Sequence, residues 1–345
     1  MSDYFASDAS DEDWDAFLGS HPQGHHEQSS EYAGNRAEYG FQCDRVAIRD
    51  GQRIVGGFQT LVQNTPIGKL ALILRGPLAE DDNTAVLNCA VRELDRLAER
   101  RSYASVRVDT FPTQTASRQA LEAAGFQAST AWHGTMRSLL VPVLFSNEEL
   151  VARMKPNGRR DVRFAERAGV TVHVGDESSL DTFMALHDAT AAHQGFPIFK
   201  REYFETVWRI FGGERRAPLF LAYYDNKPIA AILNLVVGGR LYYTWGGMDR
   251  NDAVRKLNAN CLLHLFAMSW AREHGCTHYD LSGVSGFKEK LGRDEIDWPL
   301  PRRKFYGPLR DIRRALTDTA WTSPAAQRMV NAVAYRLNLS QRMPY

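Results

Sequence analysis

Two aspartates of the 345-residue chain follow predicted strands, where catalytic carboxylates are often found. Asp109 comes after the alternating segment Ser105–Val108, and Asp280 lies in a second predicted strand, His278–Leu281. Open α/β sheets tend to place functional groups at the carboxyl ends of their strands, and there Asp109 would orient a reacting group or accept its proton. A helix cap before Thr110 explains Asp109 equally well, and a buried structural carboxylate explains Asp280.

Two basic runs could bind a polyanion. Arg153–Arg167 holds six basic residues against two acidic ones, and Arg302–Arg314 holds six against one. The net charge of the chain is only +1, which argues against a protein whose whole surface binds nucleic acid. A charge run is also the usual form of a solvated helix face, so both interpretations stay open.

Several enzyme classes lack their motifs in this chain. It contains no G-x-S-x-G, H-E-x-x-H or P-loop sequence and no paired C-x-x-C. The histidines, including His25 and His26, show no metal-ligand spacing. The patterns disfavour hydrolases and zinc enzymes, and we expect neither a metal nor a cofactor.

The elements that must position these residues occur twice in the same order. The first copy begins with two alternating runs around Asp50-Gly51, a strong hairpin signal, and continues with a strand, a helix, a strand and a helix. Its later elements are Lys69–Leu74, Asp82–Arg100, Ser105–Val108 and Ser117–Ala124. The second copy comprises Leu219–Tyr224, Pro228–Val237, Arg240–Trp245, Leu257–His274 and His278–Leu281, with Gly286–Leu291 in the last place. The repetition predicts two copies of one α/β unit.

This unit resembles the GNAT acyltransferase fold, and Leu121–Phe126 is similar to the segment that precedes the last GNAT strands. The resemblance implies an α/β (α+β) protein of two tandem GNAT-like domains with a cleft between them. The expected domains are residues 1–150 and 151–315, followed by a helical tail at 316–345.

Coenzyme A binding is disfavoured in both copies. A coenzyme A enzyme of this fold would hold the pyrophosphate on glycine-rich backbone amides at the start of its long helix. The corresponding loop, Asp249–Leu257, contains no glycine, and the first copy carries acidic residues at Glu80, Asp81 and Asp82.

Three motifs in order along the chain resemble the FemABX family of aminoacyl-tRNA-dependent peptidyltransferases, over a span from Trp14 to about Tyr306. The first is Gln28–Arg36 (QSSEYAGNR), and the second is the basic segment Lys155–Val170 (KPNGRRDVRFAERAGV). The third is Tyr279–Gly283 followed by Gly286-Phe287-Lys288.

The chain also departs from the family pattern. Arg36 stands where many members carry lysine, and Leu291 replaces the usual aromatic of the Phe-Lys segment. No long helical hairpin is inserted in the second domain, which makes the chain similar to the short FemX type. That type adds the first amino acid to a nucleotide-linked precursor.

The resemblance implies that an amino acid moves from aminoacyl-tRNA to an amine of a peptidoglycan precursor or a related peptide. The partners would be the aminoacyl-tRNA donor and a nucleotide-linked or peptide acceptor. Lys288, beside Phe287, would stabilise the oxyanion of the tetrahedral intermediate or bind terminal tRNA phosphates; a surface lysine next to a core Phe is the plain alternative. Direct attack of a neutral amine on an activated ester needs no covalent nucleophile.

Three groups of candidate site residues follow. The catalytic set is Lys288, Asp109 and Phe287. Substrate binding is assigned to Arg36 and one of Lys200 or Arg201 for a diphosphate, and to Tyr243 and Asp280, although each also fits a surface or core role. The tRNA-binding set is Lys155, Arg159, Arg160, Arg163, Arg302, Arg303 and Lys304.

Two other functions remain open: an acyl-CoA-dependent N-acyltransferase of the same fold, and a catalytically inactive module that binds tRNA or a cell-wall precursor. The chain has no apolar run long enough to cross a bilayer and no secretory signal pattern, so we expect a cytoplasmic protein without stable membrane insertion. A monomer is the default expectation for two domains packed together.

Overall fold

The computed structural model describes residues 4–65, 68–129, 137–195, 198–211, 216–284 and 286–315. These residues form two compact units. The first unit contains the chain before residue 135 and after residue 298, and the second contains residues 135–298. The second unit is therefore an insertion in the sequence of the first.

The strands and helices are numbered in chain order. The strands are β1 Phe5–Ser7, β2 Gln42–Asp50, β3 Arg53–Thr65, β4 Gly68–Leu74, β5 Leu78–Ala79, β6 Tyr103–Asp109, β7 Gln127–Ala128, β8 Arg137–Pro142, β9 Thr171–Gly175, β10 Leu219–Tyr224, β11 Lys227–Val237, β12 Arg240–Met248, β13 His278–Asp280, β14 Glu295–Asp297 and β15 Arg302–Phe305. The helices are α1 Asp11–Ser20, α2 Ser30–Ala37, α3 Thr84–Arg100, α4 Thr115–Ala123, α5 Asn147–Arg153, α6 Pro156–Arg167, α7 Leu180–Gln194, α8 Arg201–Phe211, α9 Asp252–Arg255 and α10 Ala259–Glu273.

The first unit contains a mixed sheet in the order β1-β2-β3-β4-β6-β15-β7. The predicted hairpin at Asp50-Gly51 joins β2 to β3, and Gly51 has the positive φ that such a turn requires. β4 and β6 run parallel, connected by α3. The apolar face of α3, predicted from its helical spacing, packs on this sheet through Val86, Leu87, Ala90, Val91, Leu94 and Leu97.

The second unit repeats this arrangement in the order β14-β8-β13-β12-β11-β10-β9. β10 and β11 form the predicted hairpin, with Asp225 and Asn226 both at positive φ. β12 and β13 are its parallel pair, connected by α10. The equivalence of β6 with β13, inferred from the repeated order, is confirmed by these two parallel pairings.

The domain boundaries differ from the expected ones. The predicted boundary at residue 150 lies inside the second unit, because β8 pairs with β13 and β14. The predicted range 151–315 includes β15, which instead pairs with β6 and β7 of the first sheet. The predicted helical tail at 316–345 lies outside the described residues.

Candidate active site

In the second unit, the sheet opens where its two parallel strands separate. β12 and β13 pair from Arg240 and His278 to Tyr242 and Asp280. β13 then ends, whereas β12 continues to Met248. Tyr243, which follows the last paired residue Tyr242, therefore begins a stretch of β12 with no β13 partner. The Phe287-Lys288 segment lies against Tyr243.

Helix α7 covers the outer part of this free edge. The carbonyl of Gly246 accepts a hydrogen bond from His187 Nδ1 at 3.0 Å, and the N–H of Met248 donates to Thr190 Oγ1 at 3.0 Å. A Cβ on Gly247 would lie 2.3 Å from the backbone N of His187, so this glycine permits the close approach. Side chains of α7 thus occupy backbone groups that another extended chain would need.

Lys288 lies in a 3₁₀ turn, Gly286–Lys290, at the open end of the strand pair. Its ammonium donates to the Ser282 carbonyl at 3.2 Å and lies 5.2 Å from the centre of the Tyr243 ring. Burial lowers the pKa of Lys288 to about 8, against the opposing effect of the Asp280 charge. The site therefore holds a desolvated cation, as oxyanion stabilisation requires.

A buried polar chain lies behind this lysine. Asn234 Nδ2 donates to the Pro218 carbonyl at 3.4 Å, so Asn234 Oδ1 accepts the Tyr279 hydroxyl proton at 3.0 Å. Tyr279 has one proton, and its oxygen must accept from His264 Nδ1 at 2.8 Å. Burial and the charge of Lys288 lower the pKa of His264 to about 3, so the imidazole is neutral.

Rings surround this cation and imidazole. The His264 ring lies 5.0 Å from Phe287 and 4.9 Å from Tyr243, measured between centroids. The predicted Phe287, Lys288 and Tyr243 are thus brought together. His264 was not predicted, because a histidine in a long apolar helix carries no signal of its own in the sequence.

Asp280, predicted either to fix Lys288 by its charge or to be a structural carboxylate, is buried and also acts electrostatically on Lys288. It is 0% exposed, accepts from the Ser138 hydroxyl and accepts from the Ser282 N–H at 2.8 Å. Burial raises its pKa, although these hydrogen bonds oppose the shift. Asp280 shapes the turn that follows β13 rather than presenting its carboxylate to solvent.

Helix α6 fixes the Lys288 turn from its other side. Lys290 Nζ donates to the buried carboxylate of Asp161 at 2.7 Å, and the N–H of Lys155 donates to the Lys290 carbonyl at 3.1 Å. A Cβ on Gly158 would lie 2.3 Å from that carbonyl oxygen. Burial alone would raise the pKa of Asp161. The ion pairs with Lys290 and Arg160 outweigh burial, so the pKa of Asp161 is lowered overall.

In the first unit, Asp109 lies at the carboxyl end of β6, as predicted. Arg107 donates to both of its carboxylate oxygens, at 3.0 and 2.9 Å. Here the parallel strands stay together to their ends, because Leu74 pairs with Asp109 and the N–H of Arg75 donates to the Asp109 carbonyl at 2.6 Å. This ion pair could have been predicted from the sequence, because Arg107 and Asp109 are two residues apart in a strand and therefore lie on the same face of it.

Gln28 of the first motif joins two strands of the first sheet. Its Nε2 donates to the carbonyls of Gln59, at 3.3 Å, and Leu74, and its Oε1 accepts from the Gln59 N–H at 2.9 Å. The fully buried amide therefore acts like a peptide group inserted between β3 and β4. The motif was recognised in the sequence, but this role was not.

Arg36, the predicted diphosphate ligand, lies mostly buried beside Tyr32. It is 8% exposed, its guanidinium lies 4.8 Å from the centre of the Tyr32 ring, and it donates to the Tyr32 hydroxyl at 3.1 Å. An unpredicted ion pair lies in the same unit, between Arg75 and Glu27 at 2.8 Å. Burial alone would raise the pKa of Glu27. The charge of Arg75 and a hydrogen bond from His25 outweigh burial, so the pKa of Glu27 is lowered.

The seven predicted tRNA-binding residues divide between the two units. Lys155, Arg159, Arg160 and Arg163 belong to the second unit, whereas Arg302, Arg303 and Lys304 lie on β15 of the first. Arg302 pairs with Glu122, and Lys304 pairs with Asp95 at 2.8 Å. Arg159 donates to the Met154 carbonyl at 2.8 Å, after the end of α5. Arg302 and Lys304 therefore have acidic partners within the first unit.

The other predicted diphosphate ligands lie at the start of α8. Arg201 forms ion pairs with Asp181 and, at 2.6 Å, with Glu205. Its charge is therefore neutralised by two carboxylates. Lys200 is exposed.

The described residues contain neither a metal-binding cluster nor a helix that could span a membrane. No group of three or more His, Cys, Asp or Glu side chains in them is arranged to hold a metal ion. None of their helices combines the length and apolarity needed to cross a membrane.

Comparison with known proteins supports the sequence resemblance. Residues 9–139 match the FemAB family, and residues 152–290 match the acetyltransferase (GNAT) domain. The lipid II:glycine glycyltransferase of Staphylococcus aureus is 28% identical over 233 residues, which are 64% of this chain and 55% of that protein. The match thus spans about half the length of this curated relative.

Solved structures support the fold. The crystal structure of FemX has a TM-score of 0.68 at 20% identity and covers 90% of this chain and 99% of its own. The C-terminal domain of a putative lysylphosphatidylglycerol synthetase from Agrobacterium fabrum has a TM-score of 0.60 at 16% identity, with 90% and 96% covered. With the repeated α/β unit, these likenesses show that the chain has a tandem GNAT fold and that its first part is similar to the FemAB family.

Proposed function

We propose that this protein is an aminoacyltransferase, which moves an amino acid from aminoacyl-tRNA to an amine of a peptidoglycan precursor or a related peptide. The observation that carries the proposal is the desolvated Lys288 ammonium, at the open end of the β12–β13 pair. The name of the S. aureus relative, a glycyltransferase acting on lipid II and glycine, supports an amino acid as the transferred group.

In the proposed reaction, the neutral acceptor amine attacks the carbonyl carbon of the aminoacyl ester. A C–N bond forms while negative charge develops on the carbonyl oxygen, and the Lys288 cation stabilises that charge. Collapse of the intermediate breaks the C–O bond to the ribose. The proton lost by the amine is taken up by the departing ribose oxygen, so no covalent enzyme intermediate is required.

Phe287 and Tyr243 keep Lys288 in a low-dielectric position, where its charge acts more strongly than it would in water. Asp109 is the proposed orienting group for the attacking amine. Its carboxylate accepts two N–H bonds from Arg107, and a carboxylate has further acceptor positions for a substrate ammonium or amine.

An aminoacyl ester is a better donor candidate than acyl-coenzyme A. An extended acyl carrier laid along the free edge of β12 would need its backbone groups, and His187 and Thr190 already bind two of them. The segment before α10 also carries Asp249 and Asp252, with no glycine between them, where a pyrophosphate would require free amides.

The test is the transfer of radiolabelled amino acids from a total charged-tRNA pool onto a mixture of cell-wall precursors, with and without RNase. We expect RNase to abolish transfer and Lys288→Ala to remove most of it, while Lys227→Ala, an exposed change in the β10–β11 turn, leaves it intact. Acylation that requires acetyl-CoA and survives RNase would refute the donor assignment. Binding of tRNA or precursor without any transfer would indicate an inactive module.

A further inference from the structure

Helix α6 has two faces with the same spacing and opposite character. Its buried residues are Gly158, Asp161, Val162 and Ala165, and they face α10 and the Lys288 turn. Four of its exposed residues recur at the same intervals, each two positions after a buried one. They are Arg160, Arg163, Phe164 and Arg167, here called the α6 stripe; the other exposed residues of the helix are Pro156, Asn157 and Glu166.

The charge of the stripe is largely uncompensated. The Arg160 side chain is 73% exposed and pairs with the neighbouring Asp161 at 3.1 Å, while Asp161 also pairs with the inward-lying Lys290. Within the described part of the chain, neither Arg163 nor Arg167 forms an ion pair. Glu166 is the one acidic residue on the flank of the stripe. The surface therefore favours an anionic partner.

An aromatic ring lies among these cations. Phe164 is 43% exposed, one helical turn from Arg160 and from Arg167. Single-stranded nucleic acid is commonly bound in this way, with cations along the backbone and an aromatic face for a base to stack on. The stripe is roughly 10 Å long at 1.5 Å per residue.

The stripe is also connected to the candidate active site. The opposite face of α6 holds Lys290 through Asp161, and Lys290 is in the same turn as Lys288. A polymer bound along the outer face of α6 would be separated from that turn by the width of one helix, about 10 Å.

We propose that the α6 stripe binds a single-stranded RNA segment, with the arginines on successive phosphates and Phe164 stacked on one base. This inference rests on the proposed function, since the unpaired end of the aminoacyl-tRNA donor would be that segment. An anionic membrane is a weaker fit, because one exposed apolar side chain buries too little area to hold a helix at a bilayer.

The test measures binding of a fluorescently labelled eight-nucleotide single-stranded RNA to the intact chain over a series of salt concentrations. Phe164→Ala should weaken binding about 5- to 100-fold and leave the salt dependence unchanged, because stacking releases no counterions. Arg163→Gln should weaken binding and make the log–log salt slope shallower by about 0.7.

Two matched controls lie in the first unit. Phe5→Ala removes an aromatic side chain of similar exposure, 48%, and Arg92→Gln removes an exposed helical arginine. Neither should change RNA binding by more than about twofold, the margin expected for surface changes within 0.5 kcal/mol. All four altered side chains are exposed, so thermal unfolding should stay close to that of the unaltered protein.

Three results would overturn the inference. The first is equal RNA binding by Phe164→Ala and Phe5→Ala. The second is equally tight binding of a blunt RNA duplex, because a paired base cannot stack on Phe164. The third is Phe164-dependent binding to phosphatidylglycerol vesicles without binding to RNA, which would assign the stripe to membranes. The transfer assay separates this proposal from the proposed function. If amino acids are transferred from charged tRNA but RNA binding does not depend on Phe164, only the role of the α6 stripe is refuted. If RNA binding depends on Phe164 but no amino acid is transferred, only the proposed transferase activity is refuted.

Discussion

Replacing Lys288 by methionine should stabilise the folded protein at neutral pH while abolishing its proposed activity. Methionine keeps the unbranched stem that packs against Tyr243 and removes the desolvated charge. A fall in pKa from 10.5 to about 8 corresponds to about 3 kcal/mol at 1.36 kcal/mol per pKa unit. The side chain is only partly buried and loses a cation–π contact, so we expect a net gain of roughly 1–2 kcal/mol at pH 7.

The gain should depend on pH in a defined direction. The pKa of Lys288 is lower in the folded state, so the unfolded chain binds more protons between pH 8 and about 10.5. The free energy of unfolding of the unaltered protein must rise with pH across that window relative to Lys288→Met. The advantage of the variant, present below pH 8, should shrink towards zero near pH 10.5.

The assay is urea unfolding of both proteins at pH 7 and at pH 10. Tyrosine and cysteine titrations are common to both chains and largely cancel in the difference. Lys290→Met provides a control of opposite sign, because it leaves the buried Asp161 carboxylate without its lysine and should destabilise the protein by about 2–4 kcal/mol. A Lys288→Met variant less stable than the unaltered protein at pH 7, or an advantage independent of pH, would refute the reasoning.

Three further predictions concern activity, one buried amide and the domain organisation. Transfer should fall tenfold per pH unit above pH 8 as Lys288 loses its proton, and Lys288→Arg should remove that alkaline limb in a pH–rate profile. Gln28→Ala should lower the free energy of unfolding by about 2–4 kcal/mol in urea, because it leaves backbone groups of β3 and β4 unpaired; exposed Gln127→Ala should not. Residues 135–298 should unfold in a cooperative thermal transition when expressed alone. Residues 1–134 should not, because this fragment lacks β15, and cooperative unfolding of residues 1–134 would contradict the prediction.

Much of the architecture could be predicted from local pattern. The hairpin at Asp50-Gly51, the helical face of α3 and the strand before Asp109 each depend on residues close in sequence. The order of elements then repeated, which predicted two copies of one unit. These are features for which spacing and turn chemistry carry the information.

Contacts between distant residues could not be predicted in this way. The hydrogen bond from Ser138 to Asp280 joins residues 142 positions apart, and the ion pair of Lys304 with Asp95 spans 209. For the basic run that begins at Arg302, the sequence left both a polyanion surface and a solvated face open, because its acidic partners are distant in sequence. Whether a cation is neutralised depends on which side chains the fold brings near it, and a single sequence does not state that.

The insertion of the second unit between β7 and β15 has a consequence for synthesis of the chain. When residue 134 leaves the ribosome, the first sheet still lacks β15, the strand that separates β6 from β7. At 5–20 residues per second, the inserted 135–298 segment takes roughly 10–30 s to translate. Throughout that interval β6 is an unprotected sheet edge, open to pairing with a neighbouring nascent chain. The second unit, although later in sequence, is complete first, so conditions that slow translation should promote aggregation through the first.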